Sequence, residues 1–324
     1  MKIIRKKDLE SPSEFKEKFR TYINELTEEI LDRYNIKFSF EELGDLLLSA
    51  CRANDFDVVS QKGNGLILDE SKVEDWIDQK LIPNTIVVQL DDEDVLRLMV
   101  FCFEITYSMF SGESRATITQ KGFRERKRTF EATLVDQFVG KLGEIFVKKF
   151  LENNFNVKIE LDWEISTEIE RYRNDIMNAK KNVSIKSSSN LAGIWAEADK
   201  GYDYGIMVKC SVPLHPILQF FIETCGFMTL LEFIEQKIKN DKLFRDYIER
   251  IKRRIKINDE CEIKTKLKGF VCGYFKTSNY KPVKVGIKLP YLGEVKEERY
   301  LVPINELKWE KKDWIDFLKD IEIL

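Results

Sequence analysis

Arg173-Asn174-Asp175-Ile176-Met177, a short polar connection, then Asn182-Val183-Ser184-Ile185-Lys186-Ser187-Ser188 is the stretch on which the reading of this chain turns. The pattern predicts a strand carrying an aspartate, a tight reversal and a strand carrying a lysine. Period two on the second strand sends Val183, Ile185 and Ser187 one way and Ser184, Lys186 and Ser188 the other. Ser184 and Lys186 then share a face opposite the apolar residues of the core, and Asp175 reaches the same spot across the reversal. Upstream, Val139-Gly140-Lys141-Leu142-Gly143-Glu144-Ile145-Phe146-Val147 is expected to lie in a helix packed on this sheet.

The surrounding periodicities extend that core. A helix is predicted from Phe130 to Asn153, with Leu134, Phe138, Leu142, Ile145, Phe146 and Phe150 at helical spacing. Gly140 and Gly143 would let it approach the sheet closely. Residues 157–163 alternate as a strand, 190–199 form a short helix candidate, and 202–212 suit a central strand. Helix, strand, strand, strand, helix, strand describes an α/β fold. Strands are expected at 269–275, 283–287 and 301–304, and a final helix carries Trp309, Trp314 and Phe317. A long amphipathic helix is expected over 230–256. Before the core, helices are expected over 12–34, 41–53 and 91–110, with strands at 57–60, 65–68 and 86–90 and a hairpin-like turn at Lys62-Gly63-Asn64-Gly65. The pattern breaks over 111–130. This places a boundary between a mixed, largely helical region 1–115 and a second domain 116–324.

Composition narrows the chemistry. The chain has 324 residues, 43% of them hydrophobic, enough for a substantial core. Its 53 basic and 56 acidic residues nearly cancel, so nucleic-acid binding would need a local basic groove. Six cysteines form no C-x-x-C pair and read as buried thiols of a cytoplasmic protein. No apolar run suits a signal peptide or a membrane span. The single histidine, His215, lies between Leu214 and Pro216 and reads as structural, which disfavours Ser-His-Asp hydrolases and His-based metal sites. No phosphate-binding Gly-rich loop is present, so no nucleotide cofactor is expected. Chemistry built on carboxylates, a lysine and a hard metal remains.

A glutamate, an aspartate and a lysine in this order can hold Mg²⁺ and a water beside a phosphodiester. The lysine can orient or deprotonate the water and steady transition-state charge. Read alone, each residue has a plainer role: Asp175 in a turn, Lys186 on a solvated edge, Glu144 and Glu197 on helix surfaces, Ser184 as a small polar filler.

Together, Glu144 on a first helix, Asn174-Asp175 and Ser184-Ile185-Lys186 resemble the PD-(D/E)xK nuclease superfamily, best known from type II restriction endonucleases. The resemblance covers about residues 120–212. It implies a restriction-endonuclease-like core, a central mixed sheet flanked by helices. It also implies a Mg²⁺-dependent endonuclease on double-stranded DNA, commonly a homodimer. Asn174 replaces the proline of the motif, and Ser184 stands where its second acid is expected. Branches with S-x-K recruit a glutamate from the following helix. Glu197 is the expected replacement, with Glu144 as a second supplier and Asp199 nearby. Asp175, Glu144 and Glu197 are thus the expected metal ligands.

Two basic runs flank the site. Arg124, Arg126, Lys127 and Arg128, and Lys252, Arg253 and Arg254, are expected to contact phosphates, although such runs are also ordinary solvated faces. Two other readings stay open. One is a structure-specific or non-specific repair or defence nuclease. The other is a non-catalytic DNA-binding protein with a decayed nuclease core.

Overall fold

A serine and a glutamate three residues apart start the best-capped helix of the structure. It is a computed structural model that describes residues 3–5, 34–62, 65–89, 92–111, 130–163, 174–212 and 266–324, with isolated residues between 236 and 249. The Ser39 hydroxyl accepts from the Glu42 amide, and the Glu42 carboxylate accepts from the Ser39 amide at 2.6 Å. Such a box satisfies two amides that the helix itself cannot, worth about 1 kcal/mol. The chain forms two compact units, one of residues 1–88, 139–212 and 268–324, the other of 89–138 and 213–267. The division does not fall at 115/116.

In the first unit, β1 (Ile3–Arg5), β2 (Val59–Lys62) and β3 (Gly65–Leu68) form an antiparallel sheet ordered β1-β3-β2. β2 and β3 pair with Lys62 opposite Gly65, and the two residues between them, 63 and 64, lie outside the described residues. α1 (Phe40–Ala53) and α2 (Glu70–Trp76), continued by a π-turn at Ile77–Leu81, supply Leu46, Leu47, Val73, Trp76 and Ile77 to a core shared with Phe270 and Phe275. The central sheet has the order β4-β8-β7-β5, from β4 (Thr85–Gln89), β5 (Val183–Ser188), β7 (Tyr204–Ser211) and β8 (Lys266–Lys276). β5 runs parallel to β7, and β7 runs antiparallel to β8, so the sheet is mixed. β7 is buried along nearly its whole length, as a central strand requires.

The second unit contains α3 (Glu93–Ser111), which buries Val95, Leu98, Met99 and Cys102. α4 (Phe130–Phe155) begins in this unit and continues into the first, where it lies on the central sheet. There Gly143 sets the spacing. A Cβ at that position would lie 1.7 Å from Ser187 Oγ and 2.7 Å from Ser187 Cβ. Gly140, by contrast, faces open space, although its carbonyl accepts from Ser187 Oγ at 3.2 Å. The opposite sheet face is covered by an antiparallel pair, β6 (Trp195–Ala198) and β11 (Tyr300–Pro303), with Ala198 beside Gly205. β9 (Lys288–Leu289) and β10 (Gly293–Glu294) form a small hairpin, and α5 (Lys311–Asp320) closes the chain. The α5 residues Trp314 and Phe317 pack on Phe150, Tyr204 and Tyr274 with ring centroids about 5 Å apart.

Several expected elements take another form. Residues 157–163 show alternating burial but join no strand ladder. Their polar groups bond instead to Met177 N and to the Asn178 side chain, which bridges Lys158 O and Glu160 N. Residues 174–177 form a bend rather than a strand. Residues 190–199 contain no helix: pairing with β11 overrides the helix-favouring Leu, Ala and Glu content and makes β6. Of 283–287, only Val283 makes a bridge, to Arg299. The helix expected over 12–34 lies, apart from Tyr34, outside the described residues, as do His215 and the run 121–128. Of the 230–256 helix only scattered residues are described, and these are helical. Cys51, Cys102, Cys210 and Cys272 are buried thiols. No helix among the described residues is long and apolar enough to cross a membrane.

Candidate active site

β5 is the outermost strand of the central sheet, so every second amide and carbonyl on its outer edge lacks a strand partner. The bend at 174–177 takes these positions. Asp175 N donates to Val183 O at 3.0 Å, and Ile185 N donates to Asp175 Oδ2 at 2.6 Å. Asn174 holds the reversal closed. Its Oδ1 accepts from Ile176 N and Val183 N, and its Nδ2 donates to Ala179 O and Lys181 O. The asparagine therefore fixes the turn that carries Asp175, a role proline could not fill through a side chain.

Lys186 follows directly. Its Nζ donates to Asp199 Oδ2 at 2.9 Å, and both side chains remain partly exposed, at 33% and 44%. Burial disfavours the ammonium, but Asp199 first, then Asp175 and Glu197, outweigh this and hold the Lys186 pKa above its ordinary value. Ser184 lies on the same face, in register with Gly205 while Lys186 pairs with Met207. It is fully buried, and its hydroxyl has no hydrogen-bond partner.

Glu197 stands on β6, not on a helix. Its carboxylate accepts from Arg299, which also binds Glu297. Asp199, just beyond the strand end, is the acid that meets Lys186 directly. Strand pairing with β11 rather than helix formation decides which acid reaches the lysine.

The third segment is α4. Glu144 keeps 12% side-chain exposure and pairs with Lys141 Nζ at 2.6 Å, one helical turn away. Burial pushes its pKa up to about 8, and the charge of Asp175 adds to the rise. Lys141 offsets only part of this. Burial likewise raises Asp175, against the Ile185 amide, Lys186 and Lys141, which favour its charged form. Tyr202 sits in the field of Asp175, Asp199 and Glu144. Burial first, and these charges next, keep its phenol protonated well beyond the ordinary range. Lys141 Nζ also lies 5.3 Å from the Trp163 ring centroid.

Asp175, on the bend, is the common member: Lys186 of β5 and Asp199 at the end of β6 act on it, and it acts in turn on Glu144 of α4. Lys141 and Tyr202 complete the cluster and were not singled out by sequence. The spacing of Lys141 and Glu144, one turn apart on a helix, was a signal for the first. Nothing local marked the second.

Among the described residues, no group of three or more His, Cys, Asp or Glu side chains is placed to hold a metal ion. Mg²⁺ does not need one, since it retains several waters and binds through one or two carboxylates. Burial holds both Glu144 and Asp175 above their ordinary values, and the charge of Asp175 adds to the rise at Glu144, a state that a nearby cation would relieve. All seven basic residues expected to contact phosphate, Arg124, Arg126, Lys127, Arg128, Lys252, Arg253 and Arg254, lie outside the described residues. Comparison with protein-family models, with curated proteins and with solved structures found no match.

Proposed function

We propose that the chain is a Mg²⁺-dependent endonuclease of the PD-(D/E)xK kind, hydrolysing phosphodiesters of double-stranded DNA in the manner of a type II restriction enzyme. On this reading the mixed sheet with α4 on one face is a restriction-endonuclease-like core. The observation that carries the proposal is Asp175 at the sheet edge, anchored to the Ile185 amide, with Lys186 and its partner Asp199 acting on it from one side and its own charge acting on Glu144 of α4 on the other.

Asp175 and Glu144 are the residues that would hold the ion, with Asp199 within the same field. Bound there, Mg²⁺ would neutralise phosphoryl charge and acidify a coordinated water. The protein's own groups have distinct tasks. Lys186, kept charged by Asp199 and Asp175, acts as a fixed cation toward a phosphate oxygen rather than as a base. Tyr202, kept neutral, offers a hydroxyl donor to the same region. Asn174 and the Ile185 amide hold the Asp175 carboxylate in place, so little reorganisation accompanies the reaction. Cutting both strands requires two such sites, which a homodimer supplies.

Incubation with plasmid panels and Mg²⁺ tests this. Discrete fragments that vanish on chelation are expected, with Lys186→Ala slowing cleavage roughly 10²- to 10³-fold, the range for loss of one preorganised electrostatic group. Plasmids left intact across varied sequences, with Mg²⁺ or Mn²⁺, overturn the proposal.

A further inference from the structure

Beside Lys186 the surface sinks into a pocket of about 150 Å³. This is small against the roughly 300–1,000 Å³ of drug-sized ligand sites, and it suits one planar group. Lys186 forms one wall, shared with the proposed active site. Trp195, Tyr291 and Leu292 supply aromatic and apolar surface, and Ser188 and Asn190 bring a hydroxyl and an amide.

The aromatic wall is built rather than incidental. Trp195 Nε1 donates to Pro290 O at 2.7 Å, which ties β6 to the tip of the β9–β10 hairpin. Gly293 pairs with Leu289, so Pro290-Tyr291-Leu292 is a three-residue tip. Tyr291 occupies the left-handed region, at φ 61°. A bulky residue holds that conformation at a cost of order 1–3 kcal/mol, and such strain gathers at binding sites. The Arg52 guanidinium lies 4.5 Å from the Tyr291 ring centroid, which fixes the ring from behind. Tyr291 and Leu292 are nonetheless exposed, at 38% and 46%, and Lys284 and Lys288 stand exposed on the arm leading to them.

We propose that this pocket receives a single unstacked nucleobase next to the phosphate that Lys186 contacts. The inference rests on the nuclease reading for the identity of that phosphate. Its physical content is separate. A base within a duplex presents only its edges, whereas a pocket with Trp195 and Tyr291 as walls offers faces. A base must leave the stack to use them, at a cost of a few kcal/mol that is least at a mismatch or in a single strand. Stacking on an aromatic side chain returns about 1–3 kcal/mol per base. Ser188 and Asn190 then face the hydrogen-bonding edge. The site would therefore favour DNA already weakly stacked at the cut, such as a mismatch, over a perfect duplex.

The test uses the full chain in chelator, so that no cleavage interferes. The indole signal of Trp195 is assigned by Trp195→Phe and followed by NMR during titration with a short oligothymidylate. An abasic oligomer of the same sugar–phosphate backbone is the second probe. The base-bearing strand is expected to shift the Trp195 signal and the abasic strand to leave it. Tyr291→Asn, which keeps a residue tolerant of the left-handed region, should weaken the oligothymidylate at least about fivefold, the low end for one stacked base. A Trp195 signal unmoved by either strand, or moved equally by both, overturns the pocket. So does unchanged affinity in Tyr291→Asn. Cleavage with no Trp195 response removes the pocket and leaves the nuclease. A base-dependent response with no cleavage of any DNA removes the nuclease and leaves a nucleobase site.

Discussion

Two clusters of buried charge in the first unit differ in what surrounds them. In one, Asp55 accepts from Lys80 Nζ at 2.7 Å and from Trp76 Nε1 at 3.1 Å, while Lys80 also reaches Ile304 O. Nearby, Lys209 is fully buried and donates to the Ser49 hydroxyl and to Leu191 O. Every one of these groups is sealed from water and has partners. In the other, Asp199 pairs with Lys186 and Glu144 with Lys141, Asp175 lies in the field of both lysines, and Lys186 and Asp199 stay open to solvent. Burial first, and neighbouring carboxylate charge next, push Glu144 and Asp175 toward their protonated forms. Burial of ionisable groups alone therefore does not mark a site. An uncompensated excess of one charge, reachable from solvent, does, because a ligand of the opposite charge can relieve it.

The largest effect expected from this contrast is structural. Asp55→Ala leaves the Lys80 ammonium and the Trp76 indole without their acceptor in the interior. The expected loss is about 3–5 kcal/mol, read from urea unfolding. Asp55→Leu with Lys80→Met removes both charges and should recover most of it. An Asp55→Ala protein as stable as wild type would break the contrast, since the sealed cluster would then hold nothing. A smaller effect is expected at Gly143, whose missing side chain lets α4 approach β5 and carries Glu144 toward Asp175. Gly143→Ala should cost about 1–3 kcal/mol by overpacking, with Ser187→Gly in the same chain restoring most of it. If Gly143→Ala matches wild type in unfolding and in Mg²⁺ affinity, the helix–sheet spacing does not set the site.

The contrast also separates what was legible in the sequence from what was not. α3, α4, β7 and α5 were readable because their apolar periodicity is sustained over many residues. Their packing repeats that periodicity. Asp175 and Lys186 were readable as a pair because a short reversal leaves them few alternatives. The strand expected around Asp175 was not found, since Asn174 diverts the backbone bonds of that segment into its own side chain. β6 was read as a helix because its Ala and Glu content favours one; only its distant partner, β11, decides otherwise. For the same reason Glu197 was preferred to Asp199, the acid that pairs with Lys186. An offset of two residues along the chain determines which of them meets Lys186 and which meets Arg299. The Lys209 burial was hidden in an apparently apolar strand, because its partners, Ser49 and Leu191, lie far away in sequence. Sequence periodicity reports faces, not the long-range partners that neutralise a charge on them.

The subtlest prediction concerns the proton on Glu144. Its carboxyl has an ordinary value of 4.5 and is raised to about 8 in the fold, by burial and by Asp175. A native state that binds this proton more tightly than the unfolded chain is favoured by it below about pH 4.5. That advantage is lost progressively as the pH rises through about 8. Wild type should therefore lose stability relative to Glu144→Gln between about pH 5 and about pH 9, when urea midpoints are compared. Mg²⁺ runs the linkage the other way. Its carboxylate ligands must be deprotonated, so binding releases protons and tightens over the same interval. Calorimetric titration in two buffers of different ionisation enthalpy should detect that release in wild type and a smaller one in Glu144→Gln. If wild type and Glu144→Gln keep parallel stability across the range, Glu144 is ionised within its pair with Lys141. The excess charge that distinguishes the open cluster would then shrink to Asp175 and Asp199, and the metal would have to be sought between those two.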